Sequence, residues 1–198
     1  LSYFSSTTDL GVLVNSVSGK GEIQITNFYS QSTIESTKNS PDIAAVVGYV
    51  SENTALTLTN CYGVGKLVDS RYNYYSDLLG YAHSKNIKVE NSYALKVSST
   101  RYIDYGTLMD TIAFLNGAVT FLLKENSDGA IWGQDVGNDY FPIFSGKLKN
   151  SIAARYNVTF HTFGGDTTKY YDTYVAGLTT ELPRGTSAKN LVFGGWYR

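Results

Sequence analysis

The 198-residue chain has one cysteine, one methionine, two tryptophans, three prolines and two histidines. A single thiol, Cys61, allows no internal disulfide and no cysteine-rich metal site. Charged residues make up 17%, against roughly 25% in an average soluble domain. With 16 Lys and Arg against 17 Asp and Glu, no basic excess is present to neutralise phosphates, which argues against a nucleic-acid partner. No apolar run approaches the ~18 residues of a membrane-spanning helix. The chain opens at Leu1 with neither an initiator methionine nor a charged-then-apolar leader, and is expected to be a mature or trimmed piece of a longer protein. Low charge and scarce Met and Cys suit an extracellular bacterial setting.

Small polar residues fill the gap. There are 20 Ser, 20 Thr, 14 Asn and 19 Gly, and Tyr is high at 17. Together with Val and Ile these favour strands and turns over long helices. Apolar residues at 42% are enough for a core, and the length fits one medium domain plus a small module.

Three stretches of the first half align: residues 10–34, 43–67 and 75–97. Asn27, Asn60 and Asn91 coincide, 33 and then 31 residues apart, each followed two residues later by Tyr29, Tyr62 and Tyr93. Asn15, Gly48 and Gly80 coincide upstream. Ile23 and Ile25 alternate with polar residues, as do Leu56 and Leu58, and Ile87 and Val89, which is the period of a strand with one buried face. Further short strands are expected around Val12–Val14, Val46–Val47 and Leu78–Leu79, and around Ile34, Leu67 and Val97. Strands restarting about every 32 residues describe the stacked windings of a right-handed parallel β-helix or β-solenoid. The Asn–x–Tyr column reads best as structure, with Asn turning the chain in αL and Tyr rings stacking, rather than as a stripe of ligand contacts. Stretches 35–42 and 68–76 are expected to protrude as loops, and Tyr72, Tyr74 and Tyr75 on the second are the candidate ligand-binding residues.

The motifs AVVGYV…LTLTNCYGVGKL and DLLGYA…IKVENSYALKV resemble the GLUG-type repeats of bacterial surface proteins, over roughly residues 1–98. Gly48 and Gly80 match the family's glycine-rich strand; the doubled glycine before them is missing, and the first copy has Asn15 instead.

Residues 99–147 break the pattern and are expected to cap the solenoid. Leu108, Met109, Ile112, Ala113 and Leu115 have helical spacing, ended by Asn116-Gly117; Val119, Phe121 and Leu123 alternate as a strand. Asn126, Ser127, Asp128 and Gly129, with Asp135, Asn138 and Asp139, lack the order and the closing Glu of a calcium loop and read as polar turns.

Beyond a linker at 146–151, residues 156–198 carry Y-x-V-T-F at 156–160, Gly164-Gly165, Y-x-x-G at 174–177, Leu182-Pro183 and F-x-G-W-Y at 193–197. In order and spacing this stretch resembles the Listeria–Bacteroides repeat, an internalin-type module. The resemblance implies a small β-grasp-like fold, tandem occurrence in secreted or surface-anchored bacterial proteins, and no catalytic residues. Phe163 departs from the usual polar residue. Its core would rest on Phe160, Leu182, Phe193 and Trp196.

Little points to catalysis. Glu22, Lys88 and Glu90 fall on the solvent side of their strands; Asp9, Asp42 and Asp77 lie at similar places before the glycine strand and read as turn or edge charges. His83 and His161 have no metal spacing around them, and Cys61 reads as a packed thiol. The expected organisation is a mainly β chain: a solenoid over 1–147 with a short helix-containing cap at 99–147, and a β-grasp-like module at 152–198. The expected role is a non-enzymatic cell-surface or secreted adhesin or stalk fragment without cofactor or metal, meeting a surface protein or glycan of a host or neighbouring cell. A carbohydrate-binding module is the second reading, and a β-helix polysaccharide lyase or hydrolase the third.

Overall fold

A computed structural model describes residues 9–35, 43–68, 73–75, 78–96, 105–127, 131–159 and 171–178. The chain is mainly β, built largely on short parallel sheets, and the described residues form no closed barrel. Residues aligned by spacing in the sequence pair across these sheets. Val14–Val17, Val47–Val50 and Leu79–Ala82 form one parallel sheet, with Val14 beside Val47 and Val47 beside Leu79. Gly21–Thr26, Thr54–Thr59 and Ile87–Glu90 form the next, with Ile23, Leu56 and Ile87 in one row and Ile25, Leu58 and Val89 in another. Tyr29–Ser30, Tyr62–Gly63 and Tyr93–Leu95 form a third, with all three tyrosines in register. Smaller pairings join Leu10–Gly11 to Ile43–Ala44, and Ile34–Glu35 to Lys66–Val68.

The local reasons lie in the residues. Thr54–Thr59 alternates strictly between buried and half-buried positions, with Leu56 and Leu58 inside. β-Branched threonines suit the outward positions of a pleated surface. Each middle strand ends where Asn27, Asn60 and Asn91 take φ of 56°, 54° and 42°. Asparagine tolerates this left-handed conformation better than other side-chain-bearing residues do. The turn redirects the chain into the tyrosine strand. The Asn91 amide donates to Asn60 Oδ1 at 2.6 Å, which ties neighbouring turns together. Inside the sheets, Val46, Val47, Val50, Leu56, Leu58, Leu78 and Leu79 are almost wholly buried and form one apolar core with Cys61.

Several elements differ from the sequence expectation. The first is Ala118–Glu125, which is a helix, although Val119, Phe121 and Leu123 alternate. Ala118, Val119, Leu122 and Leu123 are its buried apolar residues, a helical stripe that a period-two reading of the same letters misses. Ala, Leu, Lys and Glu are also good helix formers. The second is Leu108 and Met109, which sit not in a helix but in the strand Thr107–Met109, parallel to Tyr93–Leu95. The helix starts after them at Thr111–Leu115, where the Asp110 carboxylate accepts from the Ala113 N–H at 2.8 Å as an N-cap. The third is Asn73–Tyr75, within the stretch expected to be a loop. It is a strand that folds back antiparallel on Lys66–Val68. Tyrosine-rich segments have high strand propensity, and the neighbouring edge supplies the partner.

The middle segment covers more than an end. Thr107–Met109 extends the tyrosine sheet, but residues 126–127 and 131–144 also lie along its flank. Asn126 Nδ2 donates to Asn91 Oδ1 at 3.3 Å, the Tyr62 hydroxyl donates to the Pro142 carbonyl, and Trp132 Nε1 donates to Asn27 Oδ1 at 3.3 Å. Trp132, Phe114 and Leu123 are fully buried in a second core with Tyr62 and Tyr93. A buried polar pair holds this layer in place: Thr120 Oγ1 donates to Gln134 Oε1 at 2.6 Å, and Gln134 Nε2 donates to the Phe114 carbonyl at 2.9 Å. Lys124 Nζ donates to the carbonyls of Trp132 and Gly146 at 3.1 and 2.9 Å.

Residues 146–151, expected as a linker, instead include the strand Leu148–Lys149, parallel to Gln134–Asp135; beyond them Arg155–Thr159 pairs antiparallel with Tyr171–Val175. Val175 joins the second core, Asn116 Nδ2 donates to the Gly177 carbonyl at 2.7 Å, and the Arg155 guanidinium pairs with Glu125. Phe160, Phe163, Gly164, Gly165, Leu182, Phe193 and Trp196 lie outside the described residues.

Candidate functional site

Two tyrosine rows run across the parallel sheets, and they have opposite surroundings. In the first, Tyr29 and Tyr62 stack with centroids 5.3 Å apart and planes 8° from parallel. Trp132 packs against both rings, at 6.0 and 5.6 Å, and Phe144 meets Tyr29 edge-on at 5.0 Å. Tyr62 is wholly buried and Tyr93 nearly so. Burial pushes the Tyr93 phenol up to about 12, and pushes that of Tyr62 up further. This row is core, as the Asn–x–Tyr column reads in the sequence.

The second row is Ser16, Tyr49 and Tyr81, in register on the Val14–Val17, Val47–Val50 and Leu79–Ala82 strands. Val47, Val50 and Leu79 are completely buried, whereas Tyr49 and Tyr81 on the same strands are half-buried and partly exposed. Their rings lie 6.4 Å apart with planes 21° from parallel. His83 is exposed and stands edge-on to both, 5.8 Å from Tyr49 and 5.0 Å from Tyr81. Its backbone is pinned by a hydrogen bond from its N–H to the Val50 carbonyl at 2.9 Å. Burial, with a smaller contribution from Tyr81, raises the Tyr105 phenol above its usual value.

No family model, curated protein or solved structure matches the chain. The site therefore has to be judged on its own groups. Tyr74 and Tyr75, two of the three sequence candidates, lie on the hairpin strand Asn73–Tyr75, opposite Leu67 and Lys66; Tyr72 lies outside the described residues. The outward row of Tyr49, Tyr81 and His83 was not singled out from the sequence. A signal was present, since Tyr49 and Tyr81 each follow the aligned Gly48 and Gly80 directly.

Other chemistry-bearing residues are scattered. Glu22, Lys88 and Glu90 are exposed, and Lys88 pairs with Glu90 at 2.9 Å on the same strand. Asp42, Asp77 and His161 lie outside the described residues, as does the 128–130 part of the acidic turn. Asp135 and Asp139 serve the turn itself: Asp139 Oδ2 accepts from the Asp135 N–H at 2.7 Å, and Asp135 Oδ1 accepts from Asn150 Nδ2 at 2.7 Å. Among the described residues no cluster of His, Cys, Asp or Glu could hold a metal ion, and no helix is long and apolar enough to cross a membrane.

Cys61 is fully buried, with its thiol facing the carbonyls of Thr59 and Ile25 at 3.3 and 3.6 Å. Burial pushes the thiol up from 9.0 to about 11, against hydrogen bonds at Phe28, Thr59 and Ser92 that pull it down. The folded form thus keeps its proton where the unfolded chain has lost it. The resulting stability is whole below pH 9.0 and is lost as pH rises towards about 11. The loss is on the order of 2–3 kcal/mol. Urea midpoints taken at pH 8 and pH 10.5 should fall more for the native chain than for Cys61→Ala. Parallel losses in the two proteins would refute this linkage.

Proposed function

We propose that this chain is a non-enzymatic piece of a secreted or cell-surface bacterial protein, built as a right-handed β-solenoid that serves as a stalk or adhesin and presents binding groups from its side. Parallel pairing across rows 31–33 residues apart, kept through three successive sheets, is the observation that carries the reading. Winding of this kind makes a stiff support with a long lateral surface. The resemblance of residues 1–98 to GLUG-type repeats, and of 156–198 to the Listeria–Bacteroides repeat, points the same way, as does a β-grasp-like reading of the tail. Several of the described acids are tied up in structure, Asp135 and Asp139 in a turn, Asp110 at a helix cap, and Glu90 and Glu125 in ion pairs, which favours binding over polysaccharide cleavage.

Beads coated with the purified chain, passed over immobilised glycans and host-matrix proteins, test the adhesive role. Retention under flow above that of beads coated with an unrelated protein is expected. Retention no better than that control, or shortening of a polysaccharide by the chain, would refute the proposal.

A further inference from the structure

We infer that the outer face of the Val14–Val17, Val47–Val50 and Leu79–Ala82 sheet is a binding surface for a neutral glycan chain, with Tyr49 and Tyr81 as the stacking platform. This rests on the reading of the chain as a displayed binding fragment. The first argument is preorganisation. Register places the two rings on adjacent strands 6.4 Å apart, and His83 braces both from the edge. Completely buried Val47, Val50 and Leu79 on the same strands anchor their backbone. A platform that is already ordered loses little side-chain freedom when a ligand arrives.

The second argument is chemical. Register puts Ser16, Tyr49 and Tyr81 in one row and Ser18, Ser51 and His83 in the next, and all six residues are at least partly exposed. They supply aromatic faces and edges, hydroxyls and an imidazole, and no carboxylate, ammonium or guanidinium. Sugars present apolar C–H patches and many uncharged hydroxyls, which such a face matches on both counts. An anionic glycan, a nucleic acid or an acidic peptide would find no cation among these positions. The third argument is contrast. The row of Tyr29 and Tyr62 is covered by Trp132 and Phe144, whereas among the described residues the ring contacts of Tyr49 and Tyr81 are with each other and with His83.

Affinity electrophoresis of the 198-residue chain tests the inference, using gels cast with a soluble β-glucan, a xylan or a galactomannan, and with polygalacturonate as the anionic control. Retardation by at least one neutral polymer and none by polygalacturonate is expected. Tyr49→Ala and Tyr81→Ala should each weaken it about tenfold, and the double variant should abolish it. Circular dichroism and tryptophan fluorescence report whether each variant is folded. Should Tyr81→Ala lose its native spectrum, Ser16→Tyr carries the test, because it adds a third ring in register with Tyr49. Tighter binding supports the platform and unchanged binding overturns it. Migration unaffected by all three neutral polymers, or retardation that survives the double variant, overturns the inference too. Polymer length after incubation is measured in parallel: shortening would count against the non-enzymatic reading, separately from the outcome at the tyrosines.

Discussion

Replacing Trp132 with alanine is expected to lower stability by about 3–5 kcal/mol, the cost of emptying a large aromatic site in a packed core. Trp132 is fully buried and meets Tyr29, Tyr62 and Phe144 with ring centroids 6.0, 5.6 and 4.8 Å away. Its indole N–H also closes onto Asn27. In a domain of this size the loss lowers the melting temperature by about 10 °C. Trp132→Phe keeps most of the buried area and should recover more than half of the difference. Thermal melts followed by far-UV circular dichroism would decide. If Trp132→Ala melted within a degree or two of the native chain, the segment around Trp132 would not be packed on the tyrosine row.

A comparably large effect is expected at Gly65. A Cβ placed there would stand 1.8 Å from the Ser32 carbonyl oxygen and 2.8 Å from its carbon. Those atoms are backbone of the neighbouring row, so relief requires prising two stacked segments apart rather than turning a side chain. Gly65→Ala should therefore cost about 3 kcal/mol or more, the upper end of overpacking. Gly21 is the control. It opens the strand Gly21–Thr26, and nothing lies within 4 Å of a Cβ added there. Gly21→Ala should be neutral or stabilising by up to about 1 kcal/mol, because alanine narrows the unfolded ensemble. Equal urea midpoints for the two variants would contradict the close approach at Gly65.

Much of the strand arrangement was legible in spacing alone. Ile23 and Ile25, Leu56 and Leu58, and Ile87 and Val89 occupy matching places in the aligned stretches, and those residues are partners across one sheet. Asn27, Asn60 and Asn91 marked the turns because few other residues accept positive φ. Both signals are local: alternation reports one buried face, and turn chemistry reports a backbone conformation. A residue's nearest neighbours in the chain suffice to create them.

Helix and strand could not be separated the same way over Ala118–Glu125, where the letters fit both periods. The buried stripe of Val119, Leu122 and Leu123 exists only because Tyr62, Tyr93 and Trp132 are there to receive it. The fate of the tyrosines was equally hidden. Tyr29 and Tyr62 lie under a tryptophan that meets Asn27 from 105 positions away, while Tyr49 and Tyr81 stay partly exposed. Composition and spacing make both rows tyrosine rows. Which of them becomes core and which becomes surface depends on where a distant segment packs, and that is settled by the burial available to the whole chain rather than by any local preference.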